Sequence, residues 1–529
     1  MTTIADLVRA RAADEGVALL FEDEQWTWRD YVSGCAQRAQ WLLAMCRPGP
    51  FHIGVLLDNV PEYPLLLGAA ALAGATVVGI NPTRRGDELA RDIRHCDVQL
   101  IVTESLQAPL LDGLDVGVPA DRVFDIDSEA WPKALAPYEG AAIPDVEVDD
   151  SALYLLLFTS GTSGTPKACN CTQGRLARIG GAVAQMFQLT TDDVCYCAMP
   201  MFHSNALMAN WSGALAAGAA TALRRKFSAS GFLADVRRYG VTYANYVGKP
   251  LSYVLATPEQ PDDADNPLRR VFGNEAAEAD IERFARRFGC VVVDSYGSTE
   301  GGASVARVSG MPAGALGRGA EGVTVLDPDT GEECPPAEFD AHGRLLNGDA
   351  SVGELVNRVG ARDFEGYYKH PEAEAARIRD GIYWTGDLAY RDADGWLYFA
   401  GRSDEWLRVD GENFATAPVE RIIARFPPVA LCAVYAVPDP VVGDQVMAAV
   451  QLRPGATFDG DEFAAFLAAQ PDLGTKWAPR YVRIVDELPV TPTNKVLKRQ
   501  LRNEALDVGG PVWERPGRDL TFVRRPDGG

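Results

Sequence analysis

Residues 156–167 read Leu-Leu-Phe-Thr-Ser-Gly-Thr-Ser-Gly-Thr-Pro-Lys, an apolar strand that breaks into a hydroxyl- and glycine-rich loop ending in a lysine. Gly161 and Gly164 let the backbone take positive φ and come close to a ligand. Successive N–H groups in such a turn form a concavity that suits a polyphosphate. Thr159, Ser160, Thr162, Ser163 and Thr165 add hydroxyls for phosphate oxygens or a metal ion, and Lys167 adds a point charge. The loop is not a Walker A sequence, because no Gly-Lys-Ser/Thr closes it. Ser/Thr/Gly clusters also mark ordinary solvent loops. Their fixed order directly behind an apolar strand favours the ligand reading.

Outward from this loop the chain alternates. Residues 51–104 run strand (Ile53–Leu57), helix, strand, helix (Gly86–His95), strand (Leu100–Val102), which implies a parallel sheet with helical crossovers. The pattern returns near 220–300, with helices at Phe232–Tyr239 and Ile281–Phe288 and extended segments at Val241–Val247 and Cys290–Asp294. A chain of 529 residues exceeds one core, so at least two domains are expected. The fold class is α/β: a large N-terminal domain of doubly wound, mostly parallel sheets (residues 1–403) and a small mobile α+β C-terminal domain (404–529). The tail is nearly charge-balanced, fifteen basic against eighteen acidic residues, on an acidic remainder. Residues from Val508, rich in Gly, Pro and Arg, are expected to lie extended on the surface.

With 47% hydrophobic and 23% charged residues, the composition is that of a globular protein. A net charge of −23 argues against nucleic acid and against docking on anionic lipid. Pro64 to Ile80 is apolar apart from Thr76, yet short for a membrane span. Its reading is a buried helix, with Asp58 or Asn59 as N-cap and Gly74 as stop, followed by a buried strand. No transmembrane segment or apolar signal core is found, which points to a cytoplasmic protein, with a peripheral membrane contact as an option. The ten cysteines show no disulfide framework, and Cys169/Cys171 and Cys195/Cys197 lack zinc-like spacing.

Further segments converge with the loop. Asp294-Ser295-Tyr296-Gly297-Ser298-Thr299-Glu300 follows a strand, at the edge where doubly wound sheets collect ligands. A tyrosine face can stack a purine, Thr299 can bond phosphate, and Glu300 can hold Mg²⁺ as a hard oxygen ligand. Tyr383–Asp387 and Phe399–Arg402 flank the turn Asp392–Gly395, a hairpin that brings Asp387 and Arg402 to one open end. That pair reads as a nucleoside clamp or as a surface salt bridge. His203 either gates a site or is a satisfied core group. Lys495 sits in Thr491-Pro492-Thr493-Asn494-Lys495, before a helix with Leu497 and Leu501 on one face.

In this order, these segments resemble the adenylate-forming superfamily of acyl-CoA synthetases over nearly the whole chain. Arg225–Ser230, Phe272–Glu275 and Gly411–Thr416 look like the very-long-chain acyl-CoA synthetase and fatty-acid transport protein branch. The resemblance implies that the 159–167 loop holds the ATP phosphates. It implies that Gly273, Asn274 and Glu275, with Asp294, Ser295 and Tyr296, frame adenine, and that Gly297, Ser298 and Thr299 complete the ATP set. Asp387 and Arg402 would hold the ribose, with Phe399 nearby. Lys495 would be the adenylation lysine, with Glu300, Thr299 and His203 as the other catalytic residues and Glu300 as the metal ligand. Asp404 would be the hinge, and Gly411 and Glu412 would approach CoA.

The implied substrates are ATP with Mg²⁺, CoA and a carboxylic acid: a long-chain fatty acid first, a steroid side-chain acid second. A homodimer is the candidate assembly. Asn494 stands where the family usually has glycine, and asparagine tolerates left-handed φ. The membrane anchor of the branch's animal members is not seen. Two other readings stay open: an acyl-AMP ligase loading a carrier protein, and a fatty-acid uptake or binding protein with little ligase activity.

Overall fold

The computed structural model describes residues 2–159, 167–308, 310–340, 345–402, 406–409, 412–439, 443–474, 476–491, 496–506, 510–517 and 519–525. The chain divides into two compact units, the first made of Met1–Asn274, Ile281–Asp294 and Phe364–Ala375, the second of Glu275–Asp280, Ser295–Asp363 and Ala376–Gly529. This division runs through the expected large domain. The boundary expected at residue 404 lies outside the described residues.

Two sheets build the first unit. One runs Val123–Asp125, Val98–Thr103, His52–Leu56, Thr76–Gly79, Leu153–Thr159 and Lys167–Thr172, parallel throughout except for the last pair. The other orders Arg270–Asn274, Tyr243–Val247, Val194–Cys197, Ala220–Leu223 and Val17–Phe21 in parallel, with Val291–Tyr296 paired to the first as far as Asp294 and Glu24–Thr27 antiparallel at the far edge. The helices expected at Gly86–His95 and Phe232–Tyr239 form with those limits, and the third runs Glu278–Phe288.

Helix Glu62–Ala73 is buried all round, as an apolar run without a polar face must be. It lies so close to helix Trp28–Met45 that a methyl group on Gly68 would overlap the Cys35 sulfur. Gly74 ends it in the left-handed region, φ 68°, as expected. The expected N-cap is corrected: Pro61 occupies that position with no side-chain cap bond, because the side chains of Asp58 and Asn59 are engaged elsewhere. Among the described residues, no helix is long and apolar enough to cross a membrane.

In the second unit, strands Val323–Leu326, Gly353–Asn357, Ile382–Arg391 and Leu397–Arg402 form an antiparallel sheet completed by Ile378–Arg379. A seven-stranded sheet takes all of its strands from Trp406 onward. Its core holds Leu407, Ile423, Val434, Ala448, Phe463 and Val482. The end of the chain corrects the sequence reading: Val512–Glu514 and Val523–Arg524 are strands of this sheet, and Phe522 is buried in its core. Trp513 and Phe522 give an otherwise polar segment the apolar area that ordering requires.

Candidate active site

Thr159 and Lys167 face each other as the last pair of an antiparallel hairpin, so the phosphate-loop candidates Ser160, Gly161, Thr162, Ser163, Gly164 and Thr165 connect two strand ends. Those six residues lie outside the described ones. Lys167 is 9% exposed, with its ammonium 5.4 Å from the ring centroid of Tyr367.

Gly273, Asn274 and Asp294 sit at the C-terminal ends of adjacent parallel strands, where this type of sheet exposes its ligand edge. Gly273 pairs with Tyr246, and a methyl group there would overlap both the carbonyl and the ring of Tyr246. That explains the glycine. The Tyr246 hydroxyl donates to Asp294 Oδ2 at 2.6 Å. Sequence reasoning missed Tyr246, whose one signal is an aromatic at the end of a neighbouring strand.

His203 is half-buried and leads into a short helical turn, Ser204–Ala206. A π-helical turn, Leu207–Trp211, follows. Asn205 Nδ2 donates to the Tyr246 carbonyl at 3.0 Å, and Asn245 Nδ2 donates to Asn205 Oδ1 at 2.6 Å, so this helix is tied to the strand Tyr243–Val247. Small residues follow His203, among them Ala206, Ala209 and Gly213. Gly213 serves packing, since a methyl group there would overlap Val183. The basic pair of the Arg225–Ser230 motif neutralises two buried carboxylates: Arg225 Nη1 donates to Glu104 Oε2 at 2.5 Å, and Lys226 Nζ lies 3.2 Å from Asp58 Oδ2.

In the second unit, Glu275 takes φ 70°, a left-handed conformation rare for a side chain of its size. Ser295 and Tyr296 pair with Val305–Ala306. The Tyr296 hydroxyl donates to Asp387 Oδ2 at 2.5 Å. Burial, then the Asp387 charge, hold its phenol well above the ordinary range. Asp387 stands directly opposite Arg402, at the one end of the hairpin where the two were expected, and Phe399 pairs with Ala389. The Arg402 side chain lies outside the described ones.

Glu354, also missed in the sequence, organises this turn. Its Oε1 accepts from Gly386 N at 2.6 Å and its Oε2 from Arg379 Nη2 at 3.0 Å, and the Arg379 guanidinium lies 3.7 Å over Trp384. Thr385 Oγ1 donates to the Leu355 carbonyl at 2.6 Å and accepts from Asp387 N at 3.1 Å. A buried acid inside an apolar strand was the available signal.

Gly297 and Ser298 are exposed, Thr299 is half-buried, and Glu300 is buried. Gly301 and Gly302 follow in left-handed conformations, φ 88° and 44°, and the Gly302 carbonyl accepts from Asn357 Nδ2 at 2.7 Å. A methyl group on Gly302 would overlap the Tyr383 ring, so these two glycines fix the backbone after Glu300. Glu300 offers a single carboxylate, a hard oxygen ligand of the kind magnesium takes, next in sequence to Thr299.

Lys495, Asp404 and Gly411 lie outside the described residues, as does the side chain of Glu412. The loop bearing Lys495 is closed by a Val490–Val496 bridge and by Leu497 N donating to the Pro489 carbonyl at 2.8 Å. Helix Lys498–Glu504 follows, with Leu501 buried. Leu497, expected on one helix face with Leu501, is instead the exposed N-cap. The helix is held at both ends: Lys498 Nζ lies 2.9 Å from Thr416 Oγ1 and Glu420 Oε1, and Arg483 Nη1 lies 2.6 Å from Glu504 Oε2.

The AMP-binding enzyme family matches residues 8–368, and the AMP-binding enzyme C-terminal domain matches residues 418–495. The steroid-22-oyl-CoA synthetase of Rhodococcus jostii is 52% identical over 521 residues, covering 98% of this chain and 94% of that protein. The medium/long-chain-fatty-acid–CoA ligase FadD17 of Mycobacterium marinum is 51% identical over 505 residues, covering 95% of this chain and 96% of that one. The crystal structure of the anthranilate CoA ligase AuaEII with anthranoyl-AMP superposes with a TM-score of 0.83 at 21% identity, covering 95% of this chain and 97% of that one. At that identity the likeness is one of fold.

Proposed function

The chain belongs to the AMP-binding enzyme family, and from that premise we propose that it is an ATP-dependent, AMP-forming acyl-CoA synthetase for a carboxylic acid with a long or bulky apolar tail. The observation that carries this reading is near-full-length identity above 50% with two CoA-forming enzymes of that kind, one named for a steroid-22-oyl group and one for medium- and long-chain fatty acids. Their near-equal identity keeps both acid classes in the proposal.

In the first half-reaction an acid carboxylate attacks the α-phosphorus of ATP and pyrophosphate leaves, giving the acyl-adenylate. Anion meets anion, so fixed positive charge must stand where negative charge builds up. We assign that charge to Lys167, the N–H groups of residues 159–165 and Lys495. Magnesium held by Glu300 and the phosphates would add Lewis-acid charge. Gly273, Asn274, Glu275, Asp294, Ser295 and Tyr296 frame adenine, and Asp387 with Arg402 takes the ribose. Catalysis is then positioning and electrostatics, with no covalent enzyme intermediate. In the second half-reaction the CoA thiolate attacks the acyl carbonyl and AMP leaves. Lys495 must withdraw before CoA enters, a gating step for a small domain hinged at Asp404, with Gly411 and Glu412 beside the pantetheine.

ATP–pyrophosphate exchange across a panel of fatty and steroid side-chain acids tests activity and names the acid class. Exchange with none of them refutes the proposal. Lys495→Ala is expected to abolish exchange while purified acyl-AMP still yields the CoA thioester. Equal loss of both steps refutes the Lys495 assignment, and acyl transfer to a carrier protein but not to CoA refutes CoA as acceptor.

A further inference from the structure

We propose that Tyr367 is a positioning residue for the phosphate-loop lysine: its ring face sets where the Lys167 ammonium stands. The inference rests on the reading of Lys167 as an ATP-phosphate cation.

Tyr367 comes from an unexpected place in the chain. Phe364–Ala375 belongs to the first unit, while the chain on both sides of it belongs to the second. This short strap lies along the strand Lys167–Thr172, which emerges from the phosphate loop. Asn170 N donates to the Gly366 carbonyl at 3.1 Å, Tyr368 N donates to the Ala168 carbonyl at 2.8 Å, and Tyr367 stands antiparallel to Cys169. Side chains fix the same register. The Glu365 carboxylate accepts from both Thr172 N and Thr172 Oγ1 at 2.7 Å, and Asn170 Nδ2 donates to the Glu365 carbonyl at 2.9 Å.

The far side of the strap is equally held. The Tyr368 hydroxyl donates to Asp97 Oδ2 at 2.5 Å, and the His95 ring nitrogen lies 2.8 Å from the Tyr368 carbonyl. Glu374 Oε1 accepts from Tyr367 N at 2.8 Å, and the Phe364 ring meets that of Tyr367 edge-on with centroids 5.1 Å apart. Tyr367, 2% exposed, therefore has almost no freedom.

With the strap in this register, the ring places its face 5.4 Å from the ammonium of Lys167, inside the range at which an aromatic face attracts a cation. A ring face suits this task chemically. It attracts the ammonium through its quadrupole and not through a directed bond to one N–H. The long, flexible lysine stem loses rotamer freedom to the ring before nucleotide arrives, and that cost is then absent from binding.

The test compares Tyr367→Phe, which keeps the face, with Tyr367→Leu, which removes it, and adds Lys167→Ala and the Lys167→Ala/Tyr367→Leu double variant. KM for ATP and kcat are measured by pyrophosphate exchange, and thioester formation from supplied acyl-AMP serves as a readout of intact folding. Tyr367→Leu is expected to raise KM for ATP by roughly 3- to 30-fold, from the range of a partly desolvated cation–π pair. Tyr367→Phe should stay within about 2-fold and the acyl-AMP reaction should be unchanged. In the Lys167→Ala background, Tyr367→Leu should add nothing further. Equal damage from Phe and Leu, an unchanged KM in Tyr367→Leu, loss of the acyl-AMP reaction together with exchange, or additive effects in the double variant each overturn the proposal. If Lys167→Ala itself binds ATP normally, the phosphate reading beneath it falls instead.

Discussion

Removal of the Glu354 carboxylate is expected to damage ribose recognition without touching any group that meets the nucleotide. Glu354 is 8% exposed and bridges Gly386 N and Arg379, one residue from Asp387. In Glu354→Ala the Gly386 N–H and the Arg379 guanidinium lose a charged acceptor, each such bond being worth about 1.5–3 kcal/mol. The Gly386 turn, at φ 74°, then has less to hold it, and Asp387 moves with it. A carboxylate bond to the ribose diol lies in the same range, about 10- to 150-fold in affinity. The enzyme's preference for ATP over 3′-deoxy-ATP should therefore shrink by roughly 5- to 10-fold in Glu354→Ala, with KM for ATP raised by a similar factor. Glu354→Gln keeps a carbonyl oxygen for Gly386 N and should retain most of the preference. The assay is kcat/KM in pyrophosphate exchange with both nucleotides. If Glu354→Ala discriminates as well as the parent, Glu354 does not position Asp387 and the reasoning is wrong.

Two predictions concern stability and reactivity. His52 is buried with Nδ1 2.7 Å from the Cys96 carbonyl, and burial, only partly offset by that bond, lowers its pKa below the ordinary value. Above about pH 6.5 the imidazole is neutral in both states and contributes no pH dependence. Below it the unfolded chain takes up a proton that the folded chain refuses, so stability falls toward the depressed pKa, by at most about 1.4 kcal/mol per pH unit. Urea midpoints between pH 7 and 5 should fall less steeply in His52→Gln than in the parent. Among the ten cysteines Cys46 is exposed and Cys432 half-buried, while burial pushes the thiols of Cys35, Cys171, Cys197 and Cys290 up to about 12. A thiol reagent should titrate about one group quickly in the native protein and all ten after denaturation. Several fast thiols would contradict this burial pattern.

Local patterns carried much of the fold. The helices at 86–95 and 232–239 were legible because each pairs an apolar face with clear ends, and the 382–402 hairpin because Asp392–Gly395 is a strong turn signal. Of the candidate site, the backbone that carries Asp294, Tyr296 and Asp387 was legible, as the strand after Cys290 and the hairpin about Asp392–Gly395. Tyr246 and Glu354 were not, since each acts on a partner some 30 to 50 residues away, Asp294 and Gly386. The tail after Val508 was misjudged because composition was weighed over its two aromatic anchors, Trp513 and Phe522. A small residue such as Gly213 does not show in sequence whether it leaves space or makes a contact; the facing Val183 shows it to be a contact.

The placement of Phe364–Ala375 has a consequence for biosynthesis. A nascent chain that has reached Asp294 carries every strand of the six-stranded sheet, yet the strand leaving the phosphate loop still lacks its neighbour. About 70 more codons must be read before Phe364 is made, roughly 4–14 s at ordinary elongation rates. Through that interval the edge of Lys167–Thr172 waits on the ribosome with unpaired amides, a standing invitation to chaperones or to a neighbouring nascent chain.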